Sequence, residues 1–293
     1  MDLEKIPTLE EYNLDETITN DKVKLISDIV GDKPKVVDRF KSGFSEFDNI
    51  MEGGFKEGDL VVISGISGEG KTTFAQTLTY NFCKLNIPTL WFSYEVSLTH
   101  LDRKFREMGI SDFYHAYSPE KNTTGKLDWV KFKIKESWRN HLTKVIFIDH
   151  IDFLTPDDNK TSDNESISLK KIATQLKTLA IELNVTIVLI AHLKKLPAGK
   201  EPDMQDIGHS AGIFQLADYV FIVWREKINN GNKFSSENTE IATNRSIIKL
   251  VKNRETGQLK YIKCQYDRGK YTQETKRDEG DNSTSNGTEW FNK

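Results

Sequence analysis

The stretch "GISGEGKTT", Gly65 to Thr73, sits between the apolar run "LVVIS" and "FAQTLTYNF", and it restricts what this chain can fold into more than any other segment. The spacing Gly65-x-x-x-x-Gly70-Lys71-Thr72 fits a phosphate-binding loop. In such a loop backbone N–H groups curl around a polyphosphate, a lysine neutralises its β and γ oxygens, and a hydroxyl ligates Mg²⁺. The arrangement requires a strand-to-helix join, because the helix N-terminus supplies further N–H groups to the anion. A ligand-free glycine-rich βα turn is the alternative, and the complete match in the required context disfavours it. The candidate nucleotide contacts are Gly65, Ser67, Gly68, Gly70, Lys71, Thr72 and Thr73, with Thr72 also a metal ligand. ATP and Mg²⁺ are the expected cofactors.

Around this loop, short β-rich runs alternate with helical stretches. "DLVVISG", "IPTLWFSYE", "KVIFIDH", "VTIVLIAH", "ADYVFIVW" and "SIIKLVKN" have the near-continuous apolar character of strands buried on both faces. Helix candidates lie between them, among them "KTTFAQTLTYNFCKL", "LTHLDRKFREMG", "LDWVKFKIKESWRNHL" and "ESISLKKIATQLKTLAIEL". The alternation predicts an α/β fold, a mainly parallel sheet flanked by helices that ends in an antiparallel piece around "QLKYIKCQYDRGKY". Trp91, Phe92, Phe221 and Trp224 fall within strand patterns, where core packing is expected rather than base stacking.

In such sheets ligands sit at the carboxyl ends of the strands, and three strands end in polar residues: Glu95, Asp149 and His192. An apolar strand terminating in an acid is the usual companion of a phosphate loop, its carboxylate holding Mg²⁺ through water, and Asp149 fits that role. Glu95 is a candidate for the base that orients an attacking water. A glutamate after a strand is common on surfaces, and a lone histidine is more often structural than functional.

The charge is unevenly distributed. The formal net charge is −3, yet residues 1–21 hold seven carboxylates against one lysine, which leaves +3 for the remainder. That allows a nucleic-acid partner without demanding one. Cys83 and Cys264, far apart and outside any Cys-x-x-Cys, form neither a disulfide framework nor a zinc site. With an acidic start unlike a targeting peptide and no apolar run of membrane-spanning length, a reducing cytoplasm, bacterial or phage-infected, is expected. The division predicted is an acidic leader over 1–41, an ATPase domain over 42–275 and a polar tail over 276–293.

Taken in order, these elements resemble the RecA-fold motor of the DnaB-type replicative helicase family, above all its branch of phage helicase-primases and Twinkle. "SGFSEFDNIMEGGFKEGDLVVISG" is similar to that family's lead-in to the loop, "FSYEVS" to its glutamate strand and "FIDHI" to its metal-binding strand, with His150 in the phage pattern. "IAHLKK" resembles its γ-phosphate sensor, "DIGHSAGIFQLADYVFIVWRE" its DNA-coupling motif, and "VKNRETG" its Lys-x-Arg element. The resemblance runs from about Ser42 to Tyr271. Two departures, Gly208 where the family has arginine and His209-Ser210-Ala211 in place of Gly-Ser-Gly, bear on DNA contacts more than on ATP chemistry.

The resemblance implies an ATP-dependent DNA helicase motor that hydrolyses nucleotide at subunit interfaces, with Glu95, Lys71, His192 and Arg254 as catalytic residues. Arg254 would be the finger inserted into a neighbouring site, with Lys252 beside it as a further nucleotide contact; Arg268 in "YDRGK" is the rival. The implied partners are single-stranded DNA, a homohexamer and a replication protein such as a primase or polymerase, with no membrane. The loop after His192 carries Lys194, Lys195 and Lys200, cations of the kind that backbone binding needs. With only some forty residues ahead of it, the motor would be a minimal or an excised one. Two other functions remain open: a RecA/RadA- or KaiC-like DNA-dependent ATPase without unwinding activity, and an ATP-gated loader or regulatory module.

Overall fold

Strand β3 (Leu60–Gly65) is buried at all six positions, as an apolar run flanked by strands on both edges and helices on both faces must be. In the computed structural model, which describes residues 37–110, 114–117, 126–155, 162–193, 201–203, 211–229 and 240–274, this strand lies inside a nine-stranded sheet. Before it come β1 (Arg39–Phe40), helix α1 (Ser45–Ile50) and β2 (Phe55–Lys56), the two short strands pairing with each other. After it come α2 (Lys71–Lys84), β4 (Thr89–Ser93), α3 (Leu98–Glu107), β5 (Tyr114–Tyr117), α4 (Lys126–His141) and β6 (Val145–Asp149). The chain continues with α5 (Ser162–Leu183), β7 (Thr186–His192), α6 (Ala211–Leu216), β8 (Tyr219–Asn229), β9 (Glu240–Asn253), β10 (Lys260–Asp267) and β11 (Lys270–Gln273).

The sheet order is β11-β10-β9-β8-β3-β7-β6-β4-β5. From β8 to β5 every pairing is parallel, and the β8–β9, β9–β10 and β10–β11 pairings are antiparallel. The RecA-like architecture expected from the sequence is thus present. The antiparallel part begins one strand earlier than the sequence suggested. "SIIKLVKN" is not a parallel strand buried on both faces; it alternates, with Ser246, Ile248 and Leu250 buried and Ile247, Lys249 and Val251 half-buried. Only ten residues separate β8 from β9, too few for a crossover helix, so the strand must return beside its predecessor.

The two faces of the sheet carry separate cores. On one, Phe74, Leu78 and Phe82 of α2 pack with Phe47 of α1 and Phe105 of α3 against Trp91, Phe147 and Phe221. Trp91 stacks on Phe147 at 4.8 Å and donates its indole N–H to Thr79 Oγ1, which satisfies the only polar atom of a fully buried ring. On the other face α4, α5 and α6 supply Val130, Ile134, Leu176, Ile213 and Phe214 against Leu90, Ile148 and Leu189. Trp91, Phe92 and Phe221 are core residues, while Trp224 is half-buried.

Candidate nucleotide site

The parallel strands place their carboxyl ends at one edge of the sheet. Gly65 pairs with His192, and Ser93 with Asp149, so the phosphate loop, the acid of β6 and the histidine of β7 come together without any long-range adjustment. Leu193 N–H donates to the Gly65 carbonyl at 3.1 Å, fastening the end of β7 to the first residue of the loop.

Two loop glycines are required by their surroundings. A side chain at Gly70 would place its Cβ 2.1 Å from Tyr271 Oη, at a φ of +98°. One at Gly65 would place it 2.5 Å from the Val223 carbonyl oxygen. Ser67 and Gly68 are exposed at the tip, while Thr72 and Thr73 are half-buried at the start of α2. Lys71 is buried and donates to the Ile66 carbonyl at 3.1 Å. Burial pulls its pKa down, opposed by Glu95, Asp149, Asp152 and Glu69.

Thr72 Oγ1 donates to Asp149 Oδ2 at 2.9 Å. The other carboxylate oxygen, Oδ1, is buried without a hydrogen-bond partner. Burial pushes Asp149 up to about 6, the Thr72 hydrogen bond opposing and Glu95 adding to the rise. An orphaned carboxylate oxygen beside a threonine hydroxyl is a hard oxygen donor set of the type Mg²⁺ prefers, so these two residues fit a divalent cation.

Glu95 lies two residues beyond the end of β4 and is exposed. It converges with His150 and His192, the ligating atoms of the three lying within 4.8 Å of one another. The imidazoles of His150 and His192 meet edge to face at 4.4 Å. Burial lowers the His192 pKa, and Lys71 and His150 lower it further, which favours the neutral ring. His150 Nδ1 is 3.2 Å from Asp152 Oδ2, though without the alignment of a hydrogen bond.

The two candidate finger arginines lie at opposite ends of the sheet. Lys252 pairs with Val220, which is level with Val62 of β3. Arg254 then follows the end of β9 and bonds through its N–H to the Asp218 carbonyl. It sits near the amino end of β3, about 15 Å from its own loop at ~3.3 Å per residue. Arg268 occupies the β10–β11 turn near the loop end and is exposed, with φ +45°. Lys194, Lys195 and Lys200 lie outside the described residues.

Two neighbours of the loop were not selected from the sequence. Glu69 is buried, accepts the Arg225 N–H at 2.8 Å and pairs with Lys227 at 3.1 Å. Tyr271, held by Ser246 and by the Thr77 hydroxyl, covers Gly70. Glu69 occupies a free position of the motif and Tyr271 comes from a distant strand, so neither had a local signal.

A family model described as DnaB-like helicase C terminal domain matches residues 40–111 and 117–274. The chain is 26% identical over 232 residues to a probable replicative DNA helicase of Trieres chinensis, covering 68% of this chain and 50% of that protein. It is 25% identical over 225 residues to the replicative DNA helicase DnaB of Rickettsia conorii, covering 64% and 45%. It therefore spans about half the length of the curated relatives it matches. Among solved structures, one described as an ATPase domain is similar with a TM-score of 0.64 at 18% identity, over 91% of this chain and 99% of that one. A DnaB-like replicative helicase described with its interactions with primase gives 0.65 at 18% identity, over 90% and 69%. A KaiC-like protein of Pyrococcus horikoshii gives 0.60 at 20%, over 82% and 100%. At these identities the structural likeness speaks for the fold alone.

Proposed function

The chain belongs to the DnaB-like helicase C-terminal domain family, and from that premise we propose that it is the ATP-driven motor of a replicative DNA helicase, working on single-stranded DNA as a homohexamer. The observation that carries this reading is the convergence of the Gly65–Thr73 loop, Asp149, Glu95 and His192 at one sheet edge in a member of that family. Nucleotide binding follows from family and loop together; ATP and Mg²⁺ are the specific ligands proposed. Among the described residues no helix is long and apolar enough to cross a membrane.

Each residue has a role that its surroundings permit. The loop N–H groups and Lys71 hold the β and γ phosphates. Thr72 and Asp149 would hold Mg²⁺, which, when bound, neutralises charge on the phosphates. Glu95, exposed at the mouth, accepts a hydrogen bond from the attacking water and orients it. His192, neutral and next to Gly65, senses the terminal phosphate and passes its loss to the segment that follows. Arg254 cannot serve its own site from the other end of the sheet, so it acts on that of a neighbouring copy, where such a cation is worth about 10³–10⁵ in rate.

Steady-state ATP hydrolysis with and without single-stranded DNA tests the proposal. Hydrolysis accelerated by DNA and abolished by Lys71→Ala is expected. Hydrolysis indifferent to DNA would favour an ATP-gated loader or regulatory ring instead.

A further inference from the structure

Arg254 is a surface residue with half of its side chain exposed, yet it is held at several points. Its Nη1 donates to Asp218 Oδ1 at 3.2 Å, its Nη2 to the Gln215 carbonyl at 2.8 Å, and its backbone N–H to the Asp218 carbonyl at 2.9 Å. Lys252 Nζ donates to the Phe214 and Gln215 carbonyls at 2.8 and 3.0 Å, so both cations of the Lys-x-Arg element grip the end of α6. Asp218 is itself immobilised. It is 8% exposed, accepts the Leu60 N–H at 2.8 Å and Lys177 Nζ at 2.5 Å, and donates its own N–H to the Leu60 carbonyl at 2.7 Å. Leu60 opens β3, the strand that leads into the phosphate loop.

A guanidinium has five N–H donors in a rigid fork. Two are used here on one edge, leaving three for another ligand. If the arginine were sequestered by a structural ion pair, its remaining donors would be covered; instead the group lines a shallow cavity with Lys56, Asp59, Asp218, Tyr219 and Glu255. Leu60 N–H and Lys177 Nζ both hold Asp218 Oδ2, while Oδ1 takes Arg254, so the carboxylate is fixed independently of the guanidinium it grips.

We propose that Asp218 is the positioning residue of the Arg254 finger: its carboxylate, fixed to the first residue of β3 and to Lys177, clamps one edge of the guanidinium so that the remaining donors are presented to the nucleotide phosphate of a neighbouring copy. The inference rests on the reading of Arg254 as a finger acting in trans. An unclamped arginine on a surface samples many rotamers, and ordering it only at the moment of reaction subtracts directly from transition-state stabilisation. The clamp also ties the finger to the strand that carries its own subunit's nucleotide loop, which gives neighbouring sites a mechanical link.

The test uses the full chain with ATP and single-stranded DNA. Asp218→Asn is expected to lower kcat by about tenfold with KM for ATP unchanged, the mark of an interaction made in the transition state. Mixing it with Lys71→Ala subunits should recover activity per intact site, because those sites then receive an Arg254 whose Asp218 is present. A defect confined to the variant's own site would not be recovered. Asp218→Glu keeps the buried charge while displacing the carboxylate by one methylene, and it is read in the same way should Asp218→Asn fail to fold. A mixture of Arg254→Ala with Lys71→Ala, run in parallel, tests the finger itself: mixed oligomers that stay inactive there sink the trans reading. Recovery in that mixture, together with wild-type kcat in both Asp218 variants, overturns the positioning role alone, as does a kcat loss that mixing with Lys71→Ala leaves in place.

Discussion

Replacing Asp59 by asparagine should stabilise the domain, and by an amount that depends on pH. Asp59 is 1% exposed in the turn that leads into β3, where its Oδ2 accepts the Lys56 N–H at 2.7 Å. Burial pushes its pKa from 3.8 to about 7; the Lys56 hydrogen bond opposes the rise, the nearby Asp218 charge adds to it, and Lys56 and Lys177 weaken it. Because the folded pKa lies above the unfolded one, the folded state holds a proton that the unfolded state has lost between about pH 4 and pH 7. Stability therefore falls as pH rises through that window, by about 1.4 kcal/mol per pH unit, and levels off above it. A shift of about three units corresponds to roughly 4 kcal/mol when the charge is fully formed. Asparagine keeps an oxygen for the Lys56 N–H and carries no charge, so Asp59→Asn should match the wild type near pH 4 and exceed it by up to about 4 kcal/mol near pH 8. For a domain of this size that is an increase of about 10 °C in Tm. Reversible denaturant or thermal unfolding of both proteins across the range measures it. A stability difference that does not change with pH, or a variant less stable than wild type at about pH 8, would refute the reasoning.

Further outcomes follow from the same geometry. Lys71→Ala should lose nucleotide affinity, whereas Glu95→Gln should bind as before and lose turnover by at least about 10²-fold; nucleotide titration beside hydrolysis separates the two, and undiminished turnover in Glu95→Gln removes it as the base. Gly70→Ala should abolish nucleotide binding, since its Cβ would overlap Tyr271 Oη and the residue sits at φ +98°; a variant that binds normally would show that the loop is not held in the described form. His192→Ala should retain DNA binding but lose DNA stimulation of hydrolysis, read from affinity and turnover in parallel, and intact stimulation would take the histidine out of the relay.

The sequence was most readable where structure is local. The runs that became β3, β4, β6 and β7 are near-continuously apolar because both their faces are covered, and the loop glycines are fixed by spacing that a short stretch displays in full. Glu95, Asp149 and His192 could be singled out one strand at a time, and the parallel register then places them at one edge. What the sequence did not show depends on contacts between distant residues. The antiparallel turn-back at β9 follows from the length of a connection rather than from strand composition. Tyr271 meets Gly70 across some two hundred positions, and the buried Asp218, tied to Leu60 of β3 and Lys177 of α5, grips Arg254 just beyond β9. Asp218 itself read only as one acid inside a coupling motif.

Strand displacement on a forked duplex tests the central claim most directly. The account predicts release of the displaced strand that requires hydrolysable ATP, an intact Lys71 and an intact Arg254. Vigorous DNA-stimulated ATP hydrolysis by an assembled wild-type protein that leaves the fork paired would contradict it, and would place the chain among ATPases that act on DNA without unwinding it.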